Sequence, residues 1–161
     1  MPFRFALAAA LLCLLAPLAA IAQTAPAEQI VAAAYVPAID PGPAVLITVS
    51  KERQEMTVTV EGEVFSVWPV STARAGKVTP TGEWTPQYLV RFHRSRLYNN
   101  APMPWSIFYD GHYAIHGTEE TGRLGRPASA GCVRLHPDNA RVLWEMVRAR
   151  GRDQTRIVIL D

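Results

Sequence analysis

Residues 44–68, AVLITVSKERQEMTVTVEGEVFSVW, contain three short β-type runs joined by polar or glycine-containing connections. The runs cover Ala44 to Val49, Glu55 to Val60 and Val64 to Trp68. In the second run, apolar residues alternate with threonine, which is the period of a strand with one buried face. Because the connections are short, consecutive strands are expected to be antiparallel neighbours. The segment therefore predicts a three-stranded meander and a mostly β fold.

The rest of the chain extends the β pattern and adds one helix. Pro137 suits the first helical position and Gly151 is a typical helix end, so we expect one helix between them. Residues 99–104 and 117–131 are rich in turn-forming residues and are expected to be loops. Further strands are predicted over 84–92, 107–109, 112–116 and 155–160, with a hairpin around Asp110-Gly111.

The first 22 residues are typical of an export signal. Arg4 precedes an apolar run from Phe5 to Ile21, and Ala20-Ile21-Ala22 is a small-x-small cleavage pattern. An uncleaved membrane anchor is the alternative, but the run is at the short limit for crossing a bilayer. We therefore expect cleavage after Ala22 and a mature protein in the periplasm or cell envelope, with no stable membrane span.

Composition divides the remainder into a linker and one domain. Residues 23–43 are rich in alanine and proline and are expected to be flexible, which leaves residues 44–161 as a single domain. A domain of this length can bury a substantial core. The formal net charge of the chain is +2, so no nucleic acid partner is indicated.

Cys132 lies in the stretch RPASAGCVRL, residues 126–135. Removal of residues 1–22 would also remove Cys13, the only other cysteine. An odd cysteine in an oxidising compartment either bridges two chains or is a reactive thiol. A buried structural cysteine is a third alternative, because free cysteine is among the most buried residue types.

His116 is the candidate base for a reactive Cys132. It ends a predicted strand, and the glycine-rich segment after it can return the chain to the cysteine. Gly131 carries no side chain, so backbone N–H groups near it can face a developing oxyanion. Arg134 can hold a carboxylate or favour the thiolate. A zinc site at Cys132 and the histidines is a further alternative, although the usual tight ligand spacings are absent.

Three segments together resemble the YkuD-type catalytic domain of L,D-transpeptidases. The resemblance spans about Val45 to Asp161 and implies a β-sandwich or barrel-like domain with its helix in the C-terminal half. The segments are Ile115-His116-Gly117-Thr118 with residues 125–135, Val70-Ser71-Thr72 with Thr79-Pro80-Thr81-Gly82, and Met103-Pro104-Trp105.

The resemblance also implies roles for the residues around the thiol. Cys132 would be the nucleophile and His116 the base, with the Gly117 carbonyl orienting the imidazole. The N–H groups of Gly131 and Cys132 would form the oxyanion hole. Ser129 would shape the loop through a hydrogen bond.

Substrate contacts are expected from Arg134, Trp105 and Tyr98, together with the 118–128 loop. The sequence departs from the family pattern at Ala130, where the motif has a histidine close to the oxyanion hole. Loss of one such donor costs roughly 3 kcal/mol in comparable sites, which slows a reaction without forbidding it. Ala73 replaces a motif glycine and changes only a turn.

The implied reaction is two-step acyl transfer on peptidoglycan stem peptides through a thioester, with no metal or organic cofactor. A stem amine as acceptor gives a 3→3 cross-link, a lysine of an envelope protein gives a tethered protein, and water makes the enzyme an L,D-carboxypeptidase. A catalytically weakened cell-wall-binding domain and a disulfide-linked structural envelope protein are the alternatives from other classes.

Overall fold

Two β-sheets and one α-helix form the domain in a computed structural model that describes residues 42–161. The expected signal peptide, residues 1–22, and residues 23–41 of the expected linker lie outside the described residues. Within the described range, no helix is long and apolar enough to cross a bilayer. The elements are β1 Val45–Ser50, β2 Glu55–Val60, β3 Glu63–Pro69, β4 Gly82–Trp84, β5 Tyr88–Arg94, β6 Pro102–Asp110, β7 Tyr113–Gly117, β8 Val133–Leu135, α1 Pro137–Arg150 and β9 Thr155–Leu160.

The first sheet has five strands in the order β3-β2-β1-β9-β4. Strands β1, β2 and β3 are antiparallel neighbours, so the predicted meander is confirmed. The last strand, β9, lies parallel to β1, with Ile47 opposite Ile157. The C-terminal strand therefore closes onto the N-terminal strand of the domain.

The second sheet has four strands in the order β5-β6-β7-β8 and carries the candidate site. Strands β7 and β8 are parallel, with Ile115 opposite Val133 and His116 opposite Arg134. Side chains two residues apart on a strand share a face. Cys132, two residues before Arg134, is therefore placed on the His116 face at the start of β8.

A single apolar cluster connects the two sheets and the helix. It includes Ile47 and Met56 from the first sheet, Ile107 and Ile115 from the second, and Leu143 from α1. Each of these side chains is 1 % exposed or less. Ile115 and Val133 thus point into the core, and the other face of β7 and β8 carries the site residues.

The predicted helix is confirmed as α1. Pro137 is its first residue, and the His136 side chain accepts a hydrogen bond from the Asp138 N–H at 3.3 Å. Gly151, with φ of 100°, ends the helix in a conformation that disfavours side-chain-bearing residues. The helix begins two residues after the end of β8, the strand that Cys132 immediately precedes.

Two predictions about the strands were wrong. Residues 84–92 are not one strand, because the chain passes from β4 in the first sheet to β5 in the second around Pro86. The expected loop at 99–104 is shorter, since β6 begins at Pro102. This part of β6 has β5 as its strand neighbour, while β7 begins its pairing at Ile107, so prolines are tolerated there.

Candidate active site

Cys132 and His116 lie on neighbouring parallel chain segments and line one cavity of about 510 Å³. His116 is held in β7, and Cys132 immediately precedes β8. The glycine-containing segment between them returns the chain to the same sheet, as the sequence predicted. The two groups proposed to react therefore converge on a shared, solvent-connected space.

The His116 imidazole is buried and has a defined hydrogen-bond partner. Its Nδ1 lies 2.7 Å from the carbonyl oxygen of Gly117. Because a carbonyl only accepts hydrogen bonds, Nδ1 carries the proton and Nε2 is the basic nitrogen. A Cβ at Gly117 would lie 3.1 Å from Pro104 and Pro137 atoms, so the close packing there favours glycine.

Burial is the main cause that lowers the pKa of His116 to about 4. The hydrogen bond to the Gly117 carbonyl opposes this shift, whereas the positive charges at Arg134 and His93 add to it. At neutral pH the imidazole is consequently uncharged and able to accept a proton.

Cys132 is a half-buried thiol in the resting structure. Burial raises its pKa, against opposing effects from a hydrogen bond with the Ala114 backbone and from the Arg134 charge. The sulfur lies 3.8 Å from the carbonyl oxygen of His112, to which the S–H can donate. The resting pair is therefore a thiol and a neutral imidazole that line the same cavity, and the S–H must turn away from His112 for proton transfer.

Ser129 and Gly131 shape the approach to the thiol. Gly131 has φ of 141°, and a Cβ there would lie 2.7 Å from the Tyr113 ring and 2.9 Å from the Val78 carbonyl oxygen. The N–H of Gly131 donates to Ser129 Oγ at 3.0 Å, and Ser129 is fully buried. Because Ser129 accepts the Gly131 N–H in this structure, the oxyanion role expected for that N–H stays a prediction and requires this hydrogen bond to open.

Two residues with no role predicted from the sequence hold this loop in place. Thr79 Oγ1 accepts a hydrogen bond from the Ala73 N–H at 2.9 Å and donates to the Gly131 carbonyl at 2.7 Å. Ser71 Oγ donates to the Arg126 carbonyl at 2.8 Å. Thr79 and Ser71 belong to the 70–82 stretch that carried part of the family resemblance, and that match was the available signal.

The three expected substrate contacts have different positions. Arg134 lines the cavity but forms an ion pair with Glu120 at 2.8 Å. Tyr98 also lines the cavity, and its hydroxyl donates to the Ala130 carbonyl at 3.5 Å. Thr118 and Glu119 of the 118–128 loop join this lining together with Glu120.

The substrate contact expected from Trp105 stays a prediction, and the structure places this side chain outside the cavity lining. Trp105 does not line the cavity; it packs edge-on against Trp144 of α1 at 5.6 Å, and the Arg91 guanidinium lies 4.8 Å from its ring centre. Its φ of 58° interrupts the regular alternation of β6 and accompanies this placement. Trp105 is therefore a packing residue on the helix side of the sheet.

The described residues contain no group of three or more His, Cys, Asp or Glu side chains arranged to hold a metal ion. Cys132 is a free cysteine. The chemistry that these side chains can perform is acyl transfer by a thiol with an adjacent neutral imidazole as base.

Sequence comparison assigns the chain to a family. Residues 44–159 match the L,D-transpeptidase catalytic domain, YkuD. This match covers most of the chain, and the protein belongs to the L,D-transpeptidase catalytic domain family. The fold and the order of the motif segments agree with that assignment.

Individual relatives are distant. One relative carries the name L,D-transpeptidase YkuD and comes from Bacillus subtilis (strain 168). It is 29% identical over 92 residues, which are 56% of this chain and 52% of the relative. The chain thus spans about half the length of that relative.

Solved structures share the fold. An L,D-transpeptidase from Mycobacterium smegmatis has a TM-score of 0.66 at 24% identity and covers 74% of this chain and 60% of its own. L,D-transpeptidase 3 from Mycobacterium tuberculosis, in complex with a faropenem-derived adduct, has a TM-score of 0.64 at 19% identity over 74% and 61% of the two chains.

Proposed function

We propose that this protein is a cysteine-dependent L,D-transpeptidase that acts on peptidoglycan stem peptides through a thioester acyl-enzyme. The observation that carries the proposal is the convergence of Cys132 and His116 on one cavity, with the Gly117 carbonyl fixing the imidazole tautomer. The family assignment supports the substrate class.

In the first step, Nε2 of His116 accepts the thiol proton as the Cys132 sulfur attacks a carbonyl carbon. That carbonyl belongs to the L-centre of the diamino acid at position three of the stem. A tetrahedral intermediate forms, and the Cys132 N–H is the proposed backbone donor to its oxyanion. The intermediate collapses when the imidazolium returns its proton to the terminal D-alanine amine, which leaves a thioester on Cys132.

In the second step, an acceptor attacks the thioester and His116 takes its proton. A stem amine yields a 3→3 cross-link, and a lysine of an envelope protein yields a tethered protein. Water yields a trimmed stem, which is the L,D-carboxypeptidase alternative. In each case the proton returns to sulfur and the thiol is regenerated.

The proposed place of action is the periplasm or cell envelope, after export. The support for this is the signal-like pattern of residues 1–22 and the location of peptidoglycan itself. The proposed partners are the donor and acceptor stem peptides, or an envelope protein in place of the acceptor stem.

Incubation of the purified protein with muropeptides, followed by mass spectrometry, tests the proposal. Cross-linked, protein-tethered and trimmed products have different masses, so one experiment separates the three acceptors. C132A should abolish all of them with little effect on folding, because the change is small and lies at a half-buried position. Wild-type turnover by C132A would overturn the proposal.

Faropenem provides a second readout that needs no acceptor. A live thiol at Cys132 should give a covalent mass increase, and C132A should give none. Absence of an adduct together with absence of product would instead support the catalytically weakened binding domain, for which Ala130 is the sequence argument.

A further inference from the structure

Arg134, the arginine expected to hold a substrate carboxylate, already has a carboxylate partner. Its Nη1 lies 2.8 Å from Glu120 Oε2, and its side chain is only 21% exposed. An ion pair of this length satisfies much of the charge on both groups. Glu120 therefore competes with a substrate carboxylate for the Arg134 guanidinium, which favours a positive partner elsewhere in the cavity.

Two other arginines line the same cavity as Cys132 and His116, namely Arg74 and Arg96. Neither forms an ion pair with a carboxylate of residues 42–161, whereas six other arginines in that range do. Glu119 is the remaining acidic side chain in the lining, and it pairs with neither of them. The cavity thus holds two arginines whose charges lack a described carboxylate partner.

Arg74 is fixed beside the segment that leads to the thiol. Its backbone N–H and its Nη1 both donate to the Ser129 carbonyl, at 3.0 and 3.1 Å. A guanidinium has five N–H donors, so this contact leaves several available to a ligand.

Arg96 is carried by a short loop that reaches the same segment. The loop is closed by hydrogen bonds from Ser95 N–H to the Ala101 carbonyl at 2.9 Å and from Ala101 N–H to the Tyr98 carbonyl at 3.0 Å. The Tyr98 hydroxyl contacts the Ala130 carbonyl at 3.5 Å. Arg74 therefore approaches residue 129, and the Arg96 loop approaches residue 130, just before the nucleophile.

We propose that Arg74 and Arg96 form an anion-binding subsite that holds a carboxylate of the donor stem peptide beside Cys132. The terminal D-alanine carboxylate is one source, since it lies only a few bonds beyond the scissile carbonyl. The side-chain carboxylate of diaminopimelate at position three is the other. Two guanidinium groups converging on one carboxylate give charge-assisted and directional hydrogen bonds.

This inference deepens the proposed function and rests on it, so the test measures binding and turnover separately. Binding is measured by calorimetry on the full chain carrying C132A, which cannot form a thioester. The probes are a synthetic stem tetrapeptide containing diaminopimelate, its C-terminal amide and its side-chain amide. The amide that binds weakly identifies the carboxylate that is held.

R74Q and R96Q should each raise the Kd of the free-acid peptide roughly 10-fold or more, as expected for loss of a charge-assisted hydrogen bond. Neither change should matter for the amide that lacks the recognised carboxylate. R96K should retain part of the affinity, because the charge remains. R141Q is the matched control, since it removes an arginine on α1 that does not line the cavity.

The inference is overturned if all three peptides bind alike, if R141Q weakens binding as much as R96Q, or if none of the peptides binds measurably. Turnover by the wild-type protein is scored in parallel. Turnover without dependence on Arg74 and Arg96 removes the subsite and keeps the proposed function. Carboxylate-dependent binding without turnover keeps the subsite and removes the proposed function.

Discussion

Thr79 Oγ1 joins two segments that are 52 residues apart by donating to the Gly131 carbonyl at 2.7 Å. The same oxygen accepts the Ala73 N–H at 2.9 Å. One buried hydroxyl therefore connects the 70–82 stretch with the residue that precedes Cys132. This contact gives a structural reason for the threonine at position 79.

T79V should destabilise the protein by about 1–3 kcal/mol, because a methyl group of similar volume leaves a buried N–H and a carbonyl without a partner. The rate of faropenem acylation should fall as well, since the loop before Cys132 is no longer held. Urea unfolding and adduct formation measure the two effects.

T81V is the control for T79V, because Thr81 is exposed and belongs to the same turn. It should change neither quantity measurably. Equal effects of T79V and T81V would show that the connection to Gly131 is unimportant.

G131A should prevent a stable native loop. The added Cβ would lie 2.7 Å from the Tyr113 ring and 2.9 Å from the Val78 carbonyl, at a φ that alanine rarely adopts. We expect a loss of several kcal/mol in the free energy of unfolding, which strain and overpacking commonly cause.

G122A is matched to G131A, since a Cβ at Gly122 meets no atom within 4 Å. Its thermal unfolding should be close to that of the wild type. A stable and active G131A protein would contradict the described conformation of the loop.

The stability of the fold should depend on pH through His116. Its pKa is about 4 in the folded protein, from a usual value of 6.5. Between these values the unfolded chain binds a proton that the native imidazole does not, so stability is full above 6.5 and falls as pH drops toward 4. The loss is roughly 3 kcal/mol by linkage.

H116Q should reduce the loss in the free energy of unfolding between pH 7 and 4, as measured by urea unfolding at each pH. H112Q, which removes an exposed imidazole, should leave it unchanged. If the buried substitution does not fold, an NMR titration of the His116 ring in the wild type gives the same pKa directly. A ring that titrates near 6.5 would contradict the described burial.

The acylation rate should also keep its neutral-pH value to an unusually low pH. Because the proposed base, His116, can accept a proton only when it is unprotonated, the rate of faropenem acylation should decline with an apparent pKa near 4 and stay nearly constant from pH 6 to 7. Stopped-flow acylation across that range measures it. An inflection near 6.5 would indicate a different base or an exposed imidazole.

A130H should leave the acylation rate equal to that of the wild type or raise it. Ala130 lines the cavity, and a histidine there restores a side-chain donor of the family motif. Its effect on rate is compared with its effect on thermal stability. A slower but fully folded A130H protein would show that this cavity is adapted to the small residue.

Much of the fold was predictable because local patterns and tertiary structure agree. The threonine alternation of β2 and the Pro137 start of α1 each carry their own signal. The division of residues 84–92 does not, because Trp84 and Tyr88 both suit a strand and only tertiary packing assigns them to different sheets.

The candidate site was predictable where a motif fixed it and not where distant segments meet. Cys132 and His116 were identified from the motif and from β-strand context. Glu120 of the 118–128 loop forms an ion pair with Arg134 of β8. The Trp105 side chain packs toward α1, and its backbone has an unusual positive φ. Neither leaves a trace in local sequence, so the assignments for Arg134 and Trp105 could only come from the structure.

The loop of residues 95–101 begins and ends at one point, where Ser95 and Ala101 share a hydrogen bond between β5 and β6. Because this hydrogen bond holds the two ends together, the loop can be replaced without moving β5 or β6. Grafting loops of other lengths and charges at these two residues offers a way to reshape this wall of the cavity, while Cys132 and His116 keep the positions that the second sheet gives them.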